Sequence, residues 1–70
     1  MSRAEFERLT TEGLFGYLAA KEFVLDAEEQ VIFRTQKIDG DSLLEMTKDH
    51  LVSCGVPMGV AVKIMKKILR

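Results

Sequence analysis

The stretch Ile38-Asp39-Gly40-Asp41-Ser42-Leu43-Leu44-Glu45-Met46-Thr47 decides how the rest of this 70-residue chain is read. Ile38-Asp39-Gly40-Asp41 has the residues of a turn: aspartates that bond nearby backbone, and a glycine that supplies a positive-φ position where the chain needs one. Ser42 to Met46 follows as a short helical turn carrying the Leu43-Leu44 pair. Thr47 offers the hydroxyl of an N-cap and predicts a helix to about Cys54. Gly55 stops it. Pro57 stands where a helix can begin, because the N–H it lacks has no partner in a first turn. From there Ala61, Ile64, Met65, Ile68 and Leu69 recur at i, i+3, i+4, i+7 and i+8, which predicts a last helix running to about Leu69.

On a helical wheel the apolar arc of that last helix runs from Val60 through Ile64 and Ile68 to Val62. It spans roughly 200°, where a surface helix commonly needs about 100°. Met58, Val60 and Val62 are therefore candidates for apolar surface left over once the core is filled. Upstream of the deciding stretch, Asp26 and Glu29 stand as a capping-box pair and open a helix that fades near Gln36 or Lys37. Val31-Ile32-Phe33 alone would suit a strand, but the polar residues on both sides favour helix. Further back, Thr10 or Thr11 caps a helix to Lys21, with Leu14, Tyr17 and Leu18 on one face. Gly13 and Gly16 weaken it by up to about 1 kcal/mol each against alanine, unless they let another element approach closely. Residues 1–8 read as a helical extension or a tail, with Phe6 able to pack back over the bundle; residues 9–70 form the domain proper.

Composition bounds the function. At 47% hydrophobic and 30% charged the chain is globular rather than disordered. A domain this short has little room for a deep pocket. A formal net charge of −1 and the absence of Trp point away from nucleic acid and from an aromatic base-stacking platform. No apolar run reaches the roughly 18 residues of a membrane span. Met1-Ser2-Arg3-Ala4-Glu5 has no apolar stretch like a signal peptide. Cys54 has no partner for an internal disulfide, which points to a reducing intracellular compartment, cytoplasmic or nuclear.

The charge is unevenly placed. Residues 1–56 hold eleven acids and six bases, a net of −5, whereas residues 57–70 hold Lys63, Lys66, Lys67 and Arg70 and no acid. An acidic body with a basic last element suits docking between copies, head to tail. Basic residues in a final turn also complement the helix dipole, whatever they bind.

The order Leu9, Leu14, Tyr17-Leu18, Phe33, Ile38-Asp39-Gly40, Leu43-Leu44, Thr47, Leu51, Gly55-Val56, Gly59, Lys63-Ile64 resembles a sterile alpha motif (SAM) domain, over about residues 9 to 69. Two departures stand out: the opening aromatic of the family pattern is Leu9 here, and the basic pair often found after the last glycine is Val60-Ala61. The resemblance implies an all-α, compact five-helix bundle with a longer C-terminal helix. It also implies a protein-interaction module with two surfaces. One, termed the mid-loop, is often acidic and falls here on Asp39, Asp41, Glu45 and Asp49. The other, termed the end-helix, falls on Met58, Gly59, Val60, Lys63 and Lys67. The expected partner is the chain itself or another SAM domain, in head-to-tail oligomers or helical polymers.

Other readings are weaker. A few SAM domains bind RNA hairpins through the last helix, where Lys63, Lys66, Lys67 and Arg70 can meet phosphates; the negative total and Val60-Ala61 oppose this. A helix-turn-helix over residues 47–69 lacks base-reading side chains on its first turns. His50 and Cys54 lie at i, i+4, yet two ligands are too few for a structural zinc site. Cys54 reads as a small buried residue and His50 as a surface or core-edge one. Asp39 and Asp41 suit turn chemistry better than a catalytic carboxylate pair. No catalytic residue, cofactor, metal or small-molecule substrate is expected.

Overall fold

In the computed structural model, which describes residues 1–68, the local signals become six helices and no strand among the described residues. They are α1 (Arg3–Glu7), α2 (Thr11–Ala20), α3 (Ala27–Thr35), α4 (Gly40–Glu45), α5 (Lys48–Ser53) and α6 (Met58–Lys67). The expected count of five is short by one, and the extra helix is α1. Ser2 caps it: its hydroxyl accepts from the Glu5 N–H while the Glu5 carboxylate accepts from the Ser2 N–H. The same reciprocal box opens α3 with Asp26 and Glu29, and α5 with Thr47 and His50. Thr10 caps α2 through the Gly13 N–H, and Asp39 caps α4 through the Ser42 N–H. Each such cap stabilises its helix by about 1 kcal/mol.

Three helices end alike. After α2, the Glu22 N–H bonds to the Ala19 carbonyl and the Phe23 N–H to that of Leu18; after α3, Lys37 and Ile38 bond to Arg34 and Phe33; after α5, Gly55 and Val56 bond to Val52 and Leu51. This is the Schellman pattern, and it needs a left-handed residue at its corner. Glu22 (φ 64°), Lys37 (φ 56°) and Gly55 (φ 105°) take that role. Each motif sets an apolar residue just beyond the corner, where it can meet one in the last turn, and Leu18, Phe33 and Leu51 are all fully buried.

Gly40 does something other than expected. It has no positive φ and sits instead in the first turn of α4. Its N–H donates to the Leu9 carbonyl at 2.9 Å, and a Cβ there would overlap the Phe6 carbonyl oxygen. The bare glycine lets α4 press against the end of α1. The close approach sought at Gly16 is absent, since a Cβ there would meet nothing within 4 Å.

The core draws on every helix: Phe6, Leu14, Leu18, Phe33, Leu43, Leu51 and Ile64 are all fully buried. Phe6 meets the Tyr17 ring edge to face at 4.9 Å, and the Tyr17 hydroxyl donates to the Lys67 carbonyl at 3.2 Å, tying α2 to the last turn of α6. The Thr11 hydroxyl donates to the Ile38 carbonyl, and Arg34 forks onto both oxygens of Glu12. That fork holds the Glu12 carboxyl below its ordinary value. The radius of gyration is 10.7 Å, against about 11 Å for a folded chain of this length.

α6 departs from expectation at both ends. Pro57 is its N-cap, extended at ψ 143°, rather than its first helical residue. The helix ends at Lys67, and Ile68 leaves it with extended backbone and is buried. At ten residues α6 equals α2, so it is not the longer helix expected. Leu69, the expected end, lies outside the described residues, as does Arg70.

Candidate functional site

The acidic surface is built on two short helices. Asp39 is not a free charge. Its Oδ1 accepts from the Ser42 N–H at 2.9 Å, it is half-buried, and hydrogen bonding to Ser42 holds its carboxyl below the ordinary value. It therefore fixes α4 in place. Asp41 in the first turn of α4, Glu45 at its end and Asp49 in the first turn of α5 are all exposed. Glu45 has a loose pairing with Arg3 at 4.0 Å. Acids near helix starts are favoured by the positive end of the dipole, which gives Asp41 and Asp49 a structural reason to be there as well.

The second predicted surface lies on α6. Met58 is 51% exposed, Gly59 and Lys63 are exposed, and Val60 and Lys67 are half-buried. A Cβ at Gly59 would meet nothing within 4 Å, so this turn is open on its outer side. The five helices before α6 each start on a side-chain cap, whereas Pro57 supplies none. The first-turn N–H groups of a helix have no intrahelical partner. Among the described residues, ion pairs join Arg3 to Glu45 and Arg34 to Glu12, and none involves Lys63, Lys66 or Lys67. The basic helix is not folded back on the acids of its own body.

His50 and Cys54 do not form a site. The His50 Nδ1 accepts from the Thr47 N–H at 3.0 Å as part of the α5 capping box. Cys54, expected to be buried, is half-exposed instead, because it is the C-cap at the outer edge of the corner that Gly55 turns. No group of three or more His, Cys, Asp or Glu among the described residues is placed to hold a metal ion. No described helix is long and apolar enough to cross a membrane.

Two exposed residues escaped the reading of the sequence. Val24 is 73% exposed and Val31 is 55% exposed. Val31 had a signal: it stands two residues from buried Phe33, and about 200° of helical rotation puts it on the opposite face. Val24 follows a left-handed glutamate, which nothing in the sequence announces.

A search with family models returns the SAM-like domain, matched over residues 1–70. No curated protein and no solved structure gives a significant match. Such domains are in general protein-interaction modules. With all of its residues matched and its described residues forming a helical bundle, this chain belongs to the SAM-like domain family.

Proposed function

We propose that this domain associates with itself, or with another SAM-like domain, by seating an acidic surface of one copy on the start of α6 of the next. The acidic side is Asp41, Glu45 and Asp49, with Asp39 holding α4 in place. The receiving side is Met58, Gly59 and Val60, with Lys63 and Lys67 as its charged rim. The observation that carries this reading is the start of α6: an uncapped turn beside an exposed methionine, followed by lysines that form no ion pair among the described residues.

The physics assigns different work to each part. Rim charge pairs contribute about 0.2–1 kcal/mol each and weaken with salt. A carboxylate facing the open N–H groups of α6 gains both hydrogen bonds and the favourable end of the helix dipole. Burial of Met58 supplies the apolar centre. Because the two surfaces differ, the contact is heterologous and builds a ring or an open helical filament according to whether its rotation closes. Sedimentation at low salt tests it. The wild-type mass is expected to rise with concentration, and Asp41→Lys and Lys63→Glu are each expected to stay monomeric. A wild type that stays monomeric at high concentration removes self-association.

A further inference from the structure

Two depressions, of 480 and 590 Å³, share Lys48, Met65 and Ile68 and so make one groove along the later part of α6. Its floor is apolar: Leu44, Met46, Val62, Met65 and Ile68. The charged side chains on its rim are Arg3, Lys48 and Lys66, all cationic. None of these belongs to the end-helix surface, and an apolar floor inside a basic rim calls for an acidic segment with an apolar centre.

The chain itself displays such a segment. Residues 22–29 hold Glu22, Asp26, Glu28 and Glu29 and no base. Beyond the left-handed corner at Glu22, Phe23 and Leu25 turn inward while Val24 and Asp26 face out. That alternation is the period of an extended chain. Val24 is the most exposed large apolar residue in the described structure. Exposed carboxylates precede and follow it by two residues, roughly 6–7 Å of extended chain on each side. Asp26 spends Oδ1 on the Glu29 N–H, which leaves Oδ2 for a partner.

We infer that the groove between Arg3, Lys48 and Lys66 receives residues 22–26 of a second copy, with Val24 on the apolar floor and Glu22 and Asp26 against the cationic rim. The contact goes beyond the association proposed above and uses neither Asp41 nor the start of α6. It is small, so it operates as a weak contact that adds to others in an assembly.

The test is a concentration series followed by backbone amide NMR, from micromolar to millimolar protein at low salt. It is run on wild type and on Asp41→Lys, which removes the other association. In both, the signals of residues 22–26 are expected to move together with those of Met65, Lys66 and Ile68. Lys48→Glu is expected to weaken the effect roughly tenfold, and mixing it with Glu22→Lys to restore it. Circular dichroism checks that each variant is folded. Signals that move only around residues 39–49 and 58–63 in wild type would overturn this contact while supporting the other. Groove signals that move while residues 22–26 stay still would mean that a different segment enters, and would equally overturn it. Silence at every site would sink both.

Discussion

α4 and α6 both carry a glycine in their first turn, and the two glycines are used in opposite ways. At Gly40 the backbone of α1 lies so near that a Cβ would overlap the Phe6 carbonyl, and the Gly40 N–H is bonded to Leu9. At Gly59 a Cβ would stand in open space, and no side chain caps the turn. One helix start is a joint of the fold and the other is a free end. The contrast also sorts the acids: Asp39 is consumed in closing the joint, while Asp41, Glu45 and Asp49 are exposed.

Breaking the joint is expected to have the largest effect. Phe6 is fully buried, and Phe6→Ala removes its ring from Tyr17 and the core, at a cost of about 3–5 kcal/mol by urea unfolding. A loss of only a few tenths would mean that α1 is a loose appendage. The two glycines then give a paired test. Gly40→Ala forces a methyl group against backbone and is expected to cost about 1–3 kcal/mol. Gly59→Ala enters free space in a helix and is expected to stabilise by up to about 1 kcal/mol. Equal effects of the two would erase the distinction.

Asp39 sharpens the same comparison through pH. Its carboxyl is held below the ordinary value of 3.8 by hydrogen bonds that exist only in the folded state. Its contribution is therefore fully present above that value and is lost as pH falls through the lowered folded one. Asp39→Ala is expected to cost about 1 kcal/mol at neutral pH and less in acid. Asp41→Ala, which removes an exposed side chain that caps nothing, is expected to cost far less at neutral pH. The smallest effect is at Lys37. A left-handed non-glycine costs about 1–2 kcal/mol, and glycine returns part of this in chain entropy. Lys37→Gly is thus expected to raise the unfolding midpoint slightly, whereas Gly55→Ala lowers it.

These residues also show what could be read in advance. Asp26 and Thr47 cap the helices they were expected to cap, Thr10 takes the cap that either Thr10 or Thr11 could supply, and Gly55 turns the corner it was expected to turn, because caps and stops are local chemistry. Ser2 and Glu5 spell a capping box for α1, but five residues give too short a periodic pattern to separate a helix from a tail. Glu22 and Lys37 hold left-handed corners without the glycine that normally marks them. The role of Gly40 is not legible locally, because it depends on Phe6 and Leu9, more than thirty residues away. For the surfaces, residue type and position on the chain were legible. Which acid is spent on a cap, and which valine faces out, depends on how the helices pack.

The most direct measurement mixes two variants. Asp41→Lys lacks the acidic surface but keeps the start of α6, and Lys63→Glu lacks the basic rim but keeps the acids. By sedimentation velocity at low salt each is expected to be monomeric alone, while an equimolar mixture associates into complexes that added salt dissolves. A mixture that remains monomeric, beside a wild type that associates, would contradict the account.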